Sequence, residues 1–191
     1  MIYIEDKTFD KNNFKVNPLI EGEYENCHFL NCDFSNCDLS NFIFIECKFS
    51  FCNLSLANLR KTAFREVKFK DCKMLGLHFD NCNEFGLSFS FENCNLNHSS
   101  FFKIRIKKTV FKNVQLHEVD FAECDLSNSF FGNCDLARAA FGNSILEKVD
   151  FRTSYNYSID PENNRIKKAK FSIHGIYGLL EKYDIEIASE P

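Results

Sequence analysis

Bulky apolar residues recur at every fifth position along most of this chain. The pattern is most regular between residues 24 and 59, where the bulky residues are Tyr24, Phe29, Phe34, Leu39, Phe44, Phe49, Leu54 and Leu59. A helix would repeat apolar positions about every 3.6 residues, and a half-buried strand about every two residues. A period of five fits neither, so the pattern predicts a chain that turns a corner every five residues. We call each bulky position a centre and the position two residues earlier the small inward position.

The phase of this pattern changes once, within residues 83–90. Centres run as far as Phe79 and resume at Phe91 with a displacement of two residues. If four units form one coil, residues twenty apart stack, and the interval from Phe79 to Phe91 spans two units plus two extra residues. One column of stacked centres then contains only phenylalanine: Phe29, Phe49, Phe69, Phe91, Phe111, Phe131 and Phe151. The sequence therefore predicts an all-β fold, a square parallel solenoid with this core ladder and with a bulge near Gly86.

All ten cysteines occupy the small inward position of this pattern. They are Cys27, Cys32, Cys37, Cys47, Cys52, Cys72, Cys82, Cys94, Cys124 and Cys134. Zinc sites commonly place two cysteines within a few residues of each other, whereas neighbouring cysteines here are five or more residues apart. We therefore expect small buried hydrophobic side chains, with a redox role as the remaining alternative. Neither a metal nor another cofactor is expected.

Composition and charge favour a single cytoplasmic domain. The chain has 191 residues, a net charge of −4 and only three prolines, which argues against disorder and against a general attraction to nucleic acid. No apolar run reaches the roughly 18 residues that a membrane span needs. Glu5 and Asp6 interrupt the N-terminal stretch that would be apolar in a signal peptide. We therefore expect a cytoplasmic protein without membrane association.

The histidines do not form a catalytic pattern. The five histidines are scattered over different sides and coils of the predicted solenoid: His28, His78, His98, His117 and His174. The repeat places no Ser-His-Asp or Cys-His pair together, and the chain contains no glycine-rich phosphate loop. We therefore expect no enzymatic activity and no catalytic residues.

The last twenty residues change character. Centres continue to Phe171, so we assign residues 1–171 to the solenoid and residues 172–191 to a C-terminal element. Helical spacing there, with Ser172 as the N-cap, predicts a short helix that caps the open end of the solenoid. The alternation of Ile185 and Ile187 predicts a short closing strand. The candidate homodimer interface is formed by Ile176, Leu179, Leu180, Tyr183, Ile185 and Ile187. A cap without a dimer is the alternative.

Charged residues form blocks on the predicted outer surface. One acidic block comprises Glu21, Glu23, Glu25, Asp33, Asp38 and Glu46. The second acidic block, which is the candidate partner-binding surface, comprises Glu118, Asp120, Glu123, Asp125 and Asp135. An ordinary solvated surface is the alternative for both blocks. In a DNA mimic such residues would have to form a continuous negative stripe.

A basic region lies between the two acidic blocks. It is formed by Arg65, Lys68, Lys70, Arg105, Lys107, Lys108 and Lys112. This region could bind an anionic partner, but no interleaved aromatic platform accompanies it, so direct nucleic-acid binding is not expected. Val110 and Phe130 are predicted to be outward-facing neighbours, and small exposed apolar groups of this kind are ordinary.

The individual five-residue units carry a recognisable motif. The units that begin at Asn31, Asn36 and Asn133 read NCDFS, NCDLS and NCDLA. They resemble the pentapeptide-repeat family, whose units contain a small residue, then Asp or Asn, then Leu or Phe, and two variable residues. The resemblance covers about residues 9–171 and implies a right-handed quadrilateral parallel β-helix. The length, the single interruption and the C-terminal segment after Asp160-Pro161 are most similar to the topoisomerase-protecting members, the Qnr and MfpA type.

Resemblance to that type implies a function without catalysis. In those proteins a C-terminal dimer forms a long rod whose acidic surface imitates duplex DNA and binds DNA gyrase or topoisomerase IV. The first hypothesis is therefore a DNA mimic of the quinolone-resistance type that protects a topoisomerase. The second hypothesis is an interaction scaffold for an unknown protein partner, because a fold does not determine a function.

Overall fold

The chain winds into a four-sided parallel β-solenoid that is closed at one end by a short helical segment. The structure, a computed structural model, describes residues 2–187. Residues twenty apart stack in successive coils over most of the length. We number the sides from the column of stacked centres that each contains: Phe29 marks the first side, Phe34 the second, Leu39 the third and Phe44 the fourth.

Two of the four sides contain sheets of very short strands, which extend to Arg65 on the fourth side and to Gly132 on the first, and isolated bridges continue both sides. In chain order the strands are β1 (Ile2–Glu5), β2 (Thr8–Asp10), β3 (Gly22–Glu25), β4 (His28–Leu30), β5 (Ile43–Ile45), β6 (Lys48–Ser50), β7 (Ala63–Arg65), β8 (Val67–Lys70), β9 (Phe89–Glu92), β10 (Val110–Lys112) and β11 (Phe130–Gly132). The fourth side has the order β1-β3-β5-β7, and the first side has the order β11-β10-β9-β8-β6-β4-β2. Isolated parallel bridges hold the second and third sides, as between Asp33 and Asn53. The strands are short because a corner follows every five residues.

The stacking register confirms the predicted two-residue insertion. On the first side Phe49 pairs with Phe69, twenty residues later, whereas Phe69 pairs with Phe91, 22 residues later. The spacing of twenty returns in the next coil. The extra residues follow the 3₁₀ turn Phe79–Asn81 and precede β9, where Gly86 adopts a left-handed φ of 70°. The insertion therefore shifts the phase of the sequence pattern without disturbing the columns of the core.

Phe89 fills the core space beside the insertion. It occupies the small inward position next to its register partner Val67, and its side chain is buried. Its ring lies 5.2 Å from the ring of Phe79 and 5.1 Å from that of Phe91, measured between centroids. The sequence pattern did not identify Phe89 as a core residue because it lies within residues 83–90, where the phase of the pattern changes.

The predicted phenylalanine ladder is confirmed as a buried column of stacked rings that runs along the core. All seven rings from Phe29 to Phe151 are buried, and consecutive rings stack at centroid distances of 4.6 to 5.4 Å. Rings of the adjoining sides meet the ladder edge-on, as Phe44 meets Phe49 at an interplanar angle of 76°. Stacking within a column and edge contacts between columns are both favourable arrangements of aromatic rings. The core therefore consists of interlocked aromatic columns over much of its length.

The cysteines line the core and bind backbone carbonyls. Nine of the ten are buried, Cys37 is half-buried, and all ten are free thiols. A thiol donates to the carbonyl oxygen of a centre in the preceding coil, as Cys47 does to Tyr24 at 3.2 Å and Cys52 does to Phe29 at 3.3 Å. Burial raises the pKa of Cys47 to about 12, so this thiol remains protonated at neutral pH. Among residues 2–187 no group of three or more histidine, cysteine, aspartate or glutamate side chains could hold a metal ion.

Most corners of the solenoid place one residue in the left-handed backbone region. Asparagine occupies many of these corners, but lysine, glutamate and even Phe51 occupy others. Asn81 also lies two residues after a centre, but it does not adopt this conformation, because it belongs to the 3₁₀ turn that leads into the insertion. At one corner the amides form a ladder, in which Asn113 donates to Asn93 at 2.9 Å and Asn133 donates to Asn113 at 3.0 Å. Side-chain ladders of this kind support the corners from outside the core.

The C-terminal segment is helical over ten residues. A 3₁₀ turn (His174–Ile176), the helix α1 (Tyr177–Leu180) and a second 3₁₀ turn (Glu181–Tyr183) follow one another. The Ser172 hydroxyl oxygen accepts a hydrogen bond from the Gly175 N–H at 3.1 Å, which is the contact expected of a capping serine. No helix within residues 2–187 has both the length and the apolar character required to cross a membrane.

The closing strand predicted at Ile185 and Ile187 does not form. Both residues lie in irregular chain, and both side chains are exposed. A strand requires backbone hydrogen bonds to a neighbouring strand, and within residues 2–187 no such bond reaches this segment. Residues 188–191 of the predicted C-terminal element and residue 1 of the predicted solenoid lie outside the described part of the chain.

Candidate partner-binding surfaces

The aspartates of the predicted acidic surface have a structural role in their own units. Each lies one residue before a centre, and its carboxylate accepts a hydrogen bond from the backbone N–H two residues later. The contacts are Asp120 with Ala122 at 2.8 Å, Asp125 with Ser127 at 3.1 Å and Asp135 with Ala137 at 3.3 Å. Asp33 and Asp38 of the N-terminal acidic block make the same contact. These are local turns of the kind that Asp and Asn stabilise. The recurrence of Asp or Asn at one position of the unit is the signal that could have identified this role.

The five acidic residues of the candidate surface do not lie on one side of the solenoid. Asp120 is on the third side, Asp125 on the fourth, and Asp135 on the second side one coil later. Glu118 and Glu123 occupy the two corners that flank Asp120. Duplex DNA carries one negative charge about every 1.7 Å along its axis. The structure therefore distributes these carboxylates around the rod instead of aligning them in one stripe.

Basic side chains contact four of these five carboxylates. Glu118 contacts His98 and Arg138, Glu123 contacts Lys103, Asp125 contacts Lys107, and Asp135 contacts His117. Burial opposes the ionisation of Asp125, but hydrogen bonds from Ser127 and from Lys107 outweigh it and hold the pKa of Asp125 below its usual value. The carboxylate of Asp125 is thus ionised at neutral pH, while the lysine beside it reduces the charge that a partner would meet.

Tight backbone contacts attach the C-terminal segment to the last coil. The carbonyl of Gly178 accepts a hydrogen bond from the Ile159 N–H at 2.8 Å. A Cβ atom at Gly178 would lie 1.9 Å from the carbonyl oxygen of Tyr157, so a glycine is required for this approach. Lys182 donates to Asp160 and to Glu162, at 2.6 Å in both cases. These contacts fix the helical segment against the turn at Asp160-Pro161.

Three of the six predicted dimer-interface residues line one groove of mixed polar and apolar character. The groove has a volume of about 1000 Å³ and lies between the C-terminal segment and the second side, and Leu180, Ile185 and Ile187 line it. Ile176 and Tyr183 are also exposed on this segment, whereas Leu179 packs partly against the core. Sequence reasoning missed two further residues of the groove, the exposed Tyr155 and Tyr177. The structure therefore gathers most of the predicted interface at the helical end of the rod.

The predicted basic residues lie on the fourth and first sides, and local contacts occupy several of them. Lys70 and Lys112 both contact Glu92, at 3.3 and 2.9 Å, and Lys107 contacts Asp125 at 3.0 Å. Arg65 lies 5.5 Å from the ring centroid of Phe85, an exposed residue of the insertion. Four of the predicted residues make no ion pair within residues 2–187: Arg65, Lys68, Arg105 and Lys108.

Two models of one protein family match the chain. The model described as "Pentapeptide repeats (8 copies)" matches residues 47–83, and the model described as "Pentapeptide repeat region" matches residues 87–156. Together they cover more than half of the chain, and the gap between them falls within the insertion. No curated protein matches the sequence.

One solved structure has a similar fold over its full length, and a second was also matched. The full-length structure of QnrB1, described as a plasmid-mediated fluoroquinolone resistance protein, is 19% identical, with a TM-score of 0.56 over 96% of this chain and 100% of that chain. HetL, described as a pentapeptide repeat protein involved in heterocyst differentiation regulation from the cyanobacterium Nostoc sp. strain PCC 7120, is 13% identical. Its TM-score is 0.38, and the match covers 87% of this chain and 86% of that chain. At 19% identity the likeness to QnrB1 concerns the fold alone.

Proposed function

Because the chain belongs to the pentapeptide-repeat family, we propose that it is a non-catalytic protein that binds DNA gyrase or topoisomerase IV and protects the enzyme from quinolones. The full-length correspondence of its fold with that of QnrB1, a fluoroquinolone resistance protein, carries this proposal. The mode of binding would be DNA mimicry, in which the rod occupies a site that otherwise holds duplex DNA.

The charge of the surface beside the C-terminal segment supports DNA mimicry. Residues 114–123, 134–143 and 154–163 form the second and third sides there, and they carry six carboxylates against one arginine, Arg138. Glu118, Asp120, Glu123 and Asp135 of the candidate surface belong to this acidic half, whereas Asp125 lies on the fourth side. A concentration of negative charge on one half of a rod is what a DNA-binding groove attracts.

We also propose that two copies join at the groove beside the C-terminal segment, through its exposed apolar side chains. Ile185 and Ile187 are exposed there, and a second copy would bury them together with Tyr155 and Tyr177. Two rods joined in this way would place their acidic halves on either side of the junction.

Light scattering tests the homodimer. The Ile185→Asp variant should have half the mass of the wild-type protein, because a carboxylate would be buried in the interface. Phe51→Asp is the matched control, since Phe51 is an exposed apolar residue far from the groove, and its mass should equal that of the wild type. A wild-type protein with the mass of one chain would exclude the dimer.

A supercoiling assay with purified gyrase tests the topoisomerase partner. At micromolar concentration this protein should inhibit supercoiling by gyrase alone. When a fluoroquinolone already inhibits gyrase, the protein should restore supercoiling instead. The double variant Glu118→Lys/Glu123→Lys should lose this effect, since both residues occupy corners and neither carboxylate supports its own unit. Glu21→Lys/Glu46→Lys, with the same change in charge near the other end, should retain it. The absence of any effect on gyrase and on topoisomerase IV would rule out the proposal.

The second candidate function is an interaction scaffold for a different protein. The observation that favours it is the dispersal of the acidic residues around the rod and their pairing with basic side chains. A protein that leaves both topoisomerases unaffected, although it is folded and has the expected mass, would support this candidate.

A further inference from the structure

Charge is polarised across the C-terminal half of the solenoid. From residue 104 to residue 172 the fourth and first sides carry ten lysines and arginines against three carboxylates, a formal charge of +7. The basic residues are Arg105, Lys107, Lys108, Lys112, Lys148, Arg152, Arg165, Lys167, Lys168 and Lys170, and the acidic residues are Asp125, Glu147 and Asp150. The opposite second and third sides carry six carboxylates and one arginine, a formal charge of −5. A chain with a net charge of −4 therefore has a strongly basic face, which we call the basic edge.

Part of this positive charge has no partner within residues 2–187. The carboxylates of the basic edge are already paired, Asp125 with Lys107, Glu147 with Arg165, and Asp150 with Arg152 and Lys170. Five basic residues make no ion pair with the described residues: Arg105, Lys108, Lys148, Lys167 and Lys168.

Three of the unpaired lysines stand in one row. Lys108, Lys148 and Lys168 occupy the corner between the fourth and first sides, each with a left-handed φ near 60° and an exposed side chain. At a coil spacing of about 4.8 Å the row is about 14 Å long. The coil fixes the backbone of each corner, so the three lysines are attached at set positions along one line, while each exposed side chain keeps its rotamer freedom. Their spacing can therefore match a row of anions without a rearrangement of the backbone.

Exposed apolar side chains lie beside this row. Val110 and Phe130 are register partners on the first side, with 42% and 40% of their surface exposed. The ring of Phe130 lies over Gly132, where an added Cβ atom would come within 2.4 Å of the ring. The glycine thus lets an aromatic ring lie flat on the sheet with one face open. Exposed apolar surface beside a row of unpaired lysines is the composition of an interaction surface.

We propose that the basic edge binds an acidic polypeptide segment that also carries apolar side chains. Carboxylates of the segment would pair with Lys108, Lys148 and Lys168, and an apolar side chain would cover Phe130 and Val110. The apolar pair distinguishes this partner from duplex nucleic acid, whose outer surface presents phosphates and sugars and no apolar side chain. The basic edge lies opposite the acidic half that the proposed function uses, so both surfaces can be occupied at once.

Binding of defined polymers to the full chain tests the proposal. The probes are a random copolymer of glutamate and tyrosine, polyglutamate of the same length, and a duplex DNA of similar charge, each followed by fluorescence anisotropy at two salt concentrations. The copolymer should bind more tightly than polyglutamate, and salt should weaken both, because the ion pairs are exposed. Tighter binding of DNA than of the copolymer would overturn the proposal in favour of a nucleic-acid surface, and no binding of any probe would also overturn it.

Two sets of variants locate the binding on the basic edge. The triple variant Lys108→Glu/Lys148→Glu/Lys168→Glu should bind the copolymer more weakly, by about tenfold or more. Lys15→Glu/Arg60→Glu/Lys61→Glu produces the same change in net charge on other sides and should leave binding nearly unchanged. Equal losses in the two triple variants would mean that only net charge matters and would contradict the assignment.

The Phe130→Ser variant tests the apolar contribution separately. It should remove the preference for the copolymer over polyglutamate while leaving the binding of polyglutamate intact, and circular dichroism checks that each variant is folded. A preference that survives in Phe130→Ser would contradict the proposed contact.

Discussion

The wall of the solenoid and the C-terminal segment that closes it are stabilised in different ways. In the wall, the main neighbours of a residue lie one coil before and one coil after it, so the same contact recurs along the rod. Phe69, for example, stacks between Phe49 and Phe91 at 5.1 and 5.4 Å. In the C-terminal segment each contact occurs once, such as that between Gly178 and Ile159. The stability of the wall thus depends on the volume of each side chain in its column. The attachment of the C-terminal segment depends on a few contacts that each occur once.

The largest expected effect comes from removing one ring of the phenylalanine ladder. Phe69→Ala should lower the free energy of unfolding by about 3–5 kcal/mol, because it leaves a cavity between two stacked rings that cannot close. Urea unfolding measures the change. Phe51→Ala removes the same atoms from a side chain that is 59% exposed and should cost less than about 1 kcal/mol. Similar losses in the two variants would show that the column is not a packed ladder.

A smaller effect is expected from crowding the C-terminal segment. Gly178→Ala should lower stability by about 1–3 kcal/mol, because the new methyl group meets the carbonyl of Tyr157 and pushes the segment away. Thermal unfolding measures the loss of stability. In limited proteolysis, the segment that follows residue 171 should be cleaved faster than in the wild-type protein. At Gly142 an added Cβ atom would come no closer than 3.8 Å to Ala122, so Gly142→Ala is the control and should change neither measurement. An unaltered proteolysis pattern in Gly178→Ala would contradict the close fit.

Because aspartates stabilise turns in the wall, the free energy of unfolding should depend on pH in acidic solution. The folded pKa of Asp125 lies below its usual value, so its carboxylate stabilises the native state above the unfolded pKa of about 3.9. This contribution is lost as the pH falls through the folded pKa. Asp125→Asn should therefore cost about 1 kcal/mol at neutral pH and progressively less below about pH 4.

Urea unfolding at several pH values measures this difference. Adding Ser127→Ala, which removes the hydroxyl that donates to Asp125 at 2.6 Å, should reduce the effect of Asp125→Asn. A loss in Asp125→Asn that is constant from neutral to acidic pH would contradict the role of the charge.

The smallest expected effect concerns the amide ladder at one corner. Asn113→Ala removes the hydrogen bonds to Asn93 and Asn133. Asn128→Ala changes a corner residue with a similar backbone conformation whose side chain makes no hydrogen bond within residues 2–187. Both variants lose the tolerance of asparagine for left-handed φ, so the difference between them isolates the ladder. Asn113→Ala should be less stable than Asn128→Ala by about 0.5 kcal/mol, and thermal unfolding would reveal no difference if the ladder has no energetic role.

The core could be predicted almost residue by residue, and the surfaces could not. The spacing of Phe29, Phe49 and Phe69 specified which rings stack, because a repeated five-residue unit permits one register. The role of Asp120 or Asp125 could not be read in the same way, because one carboxylate can either hold its own turn or meet a partner. Lys148 and Lys168 lie 40 and 60 residues after Lys108, so the twenty-residue period could have placed them in one row. They were missed because charges were grouped in blocks along the sequence.

The sequence alone determined the periodic part of this protein: the solenoid, the column of phenylalanines, the cysteine lining and the two-residue insertion. These features follow from a repeat that places every residue beside its equivalents in the neighbouring coils. Only the tertiary structure decided which charges are paired, how the C-terminal segment fits against Tyr157, and that Ile185 and Ile187 lack a strand partner. The period brings some charged residues close together, as with Lys112 and Glu92, but the conformations of their side chains decide whether they pair. The fit of the C-terminal segment depends on contacts between residues that no period relates.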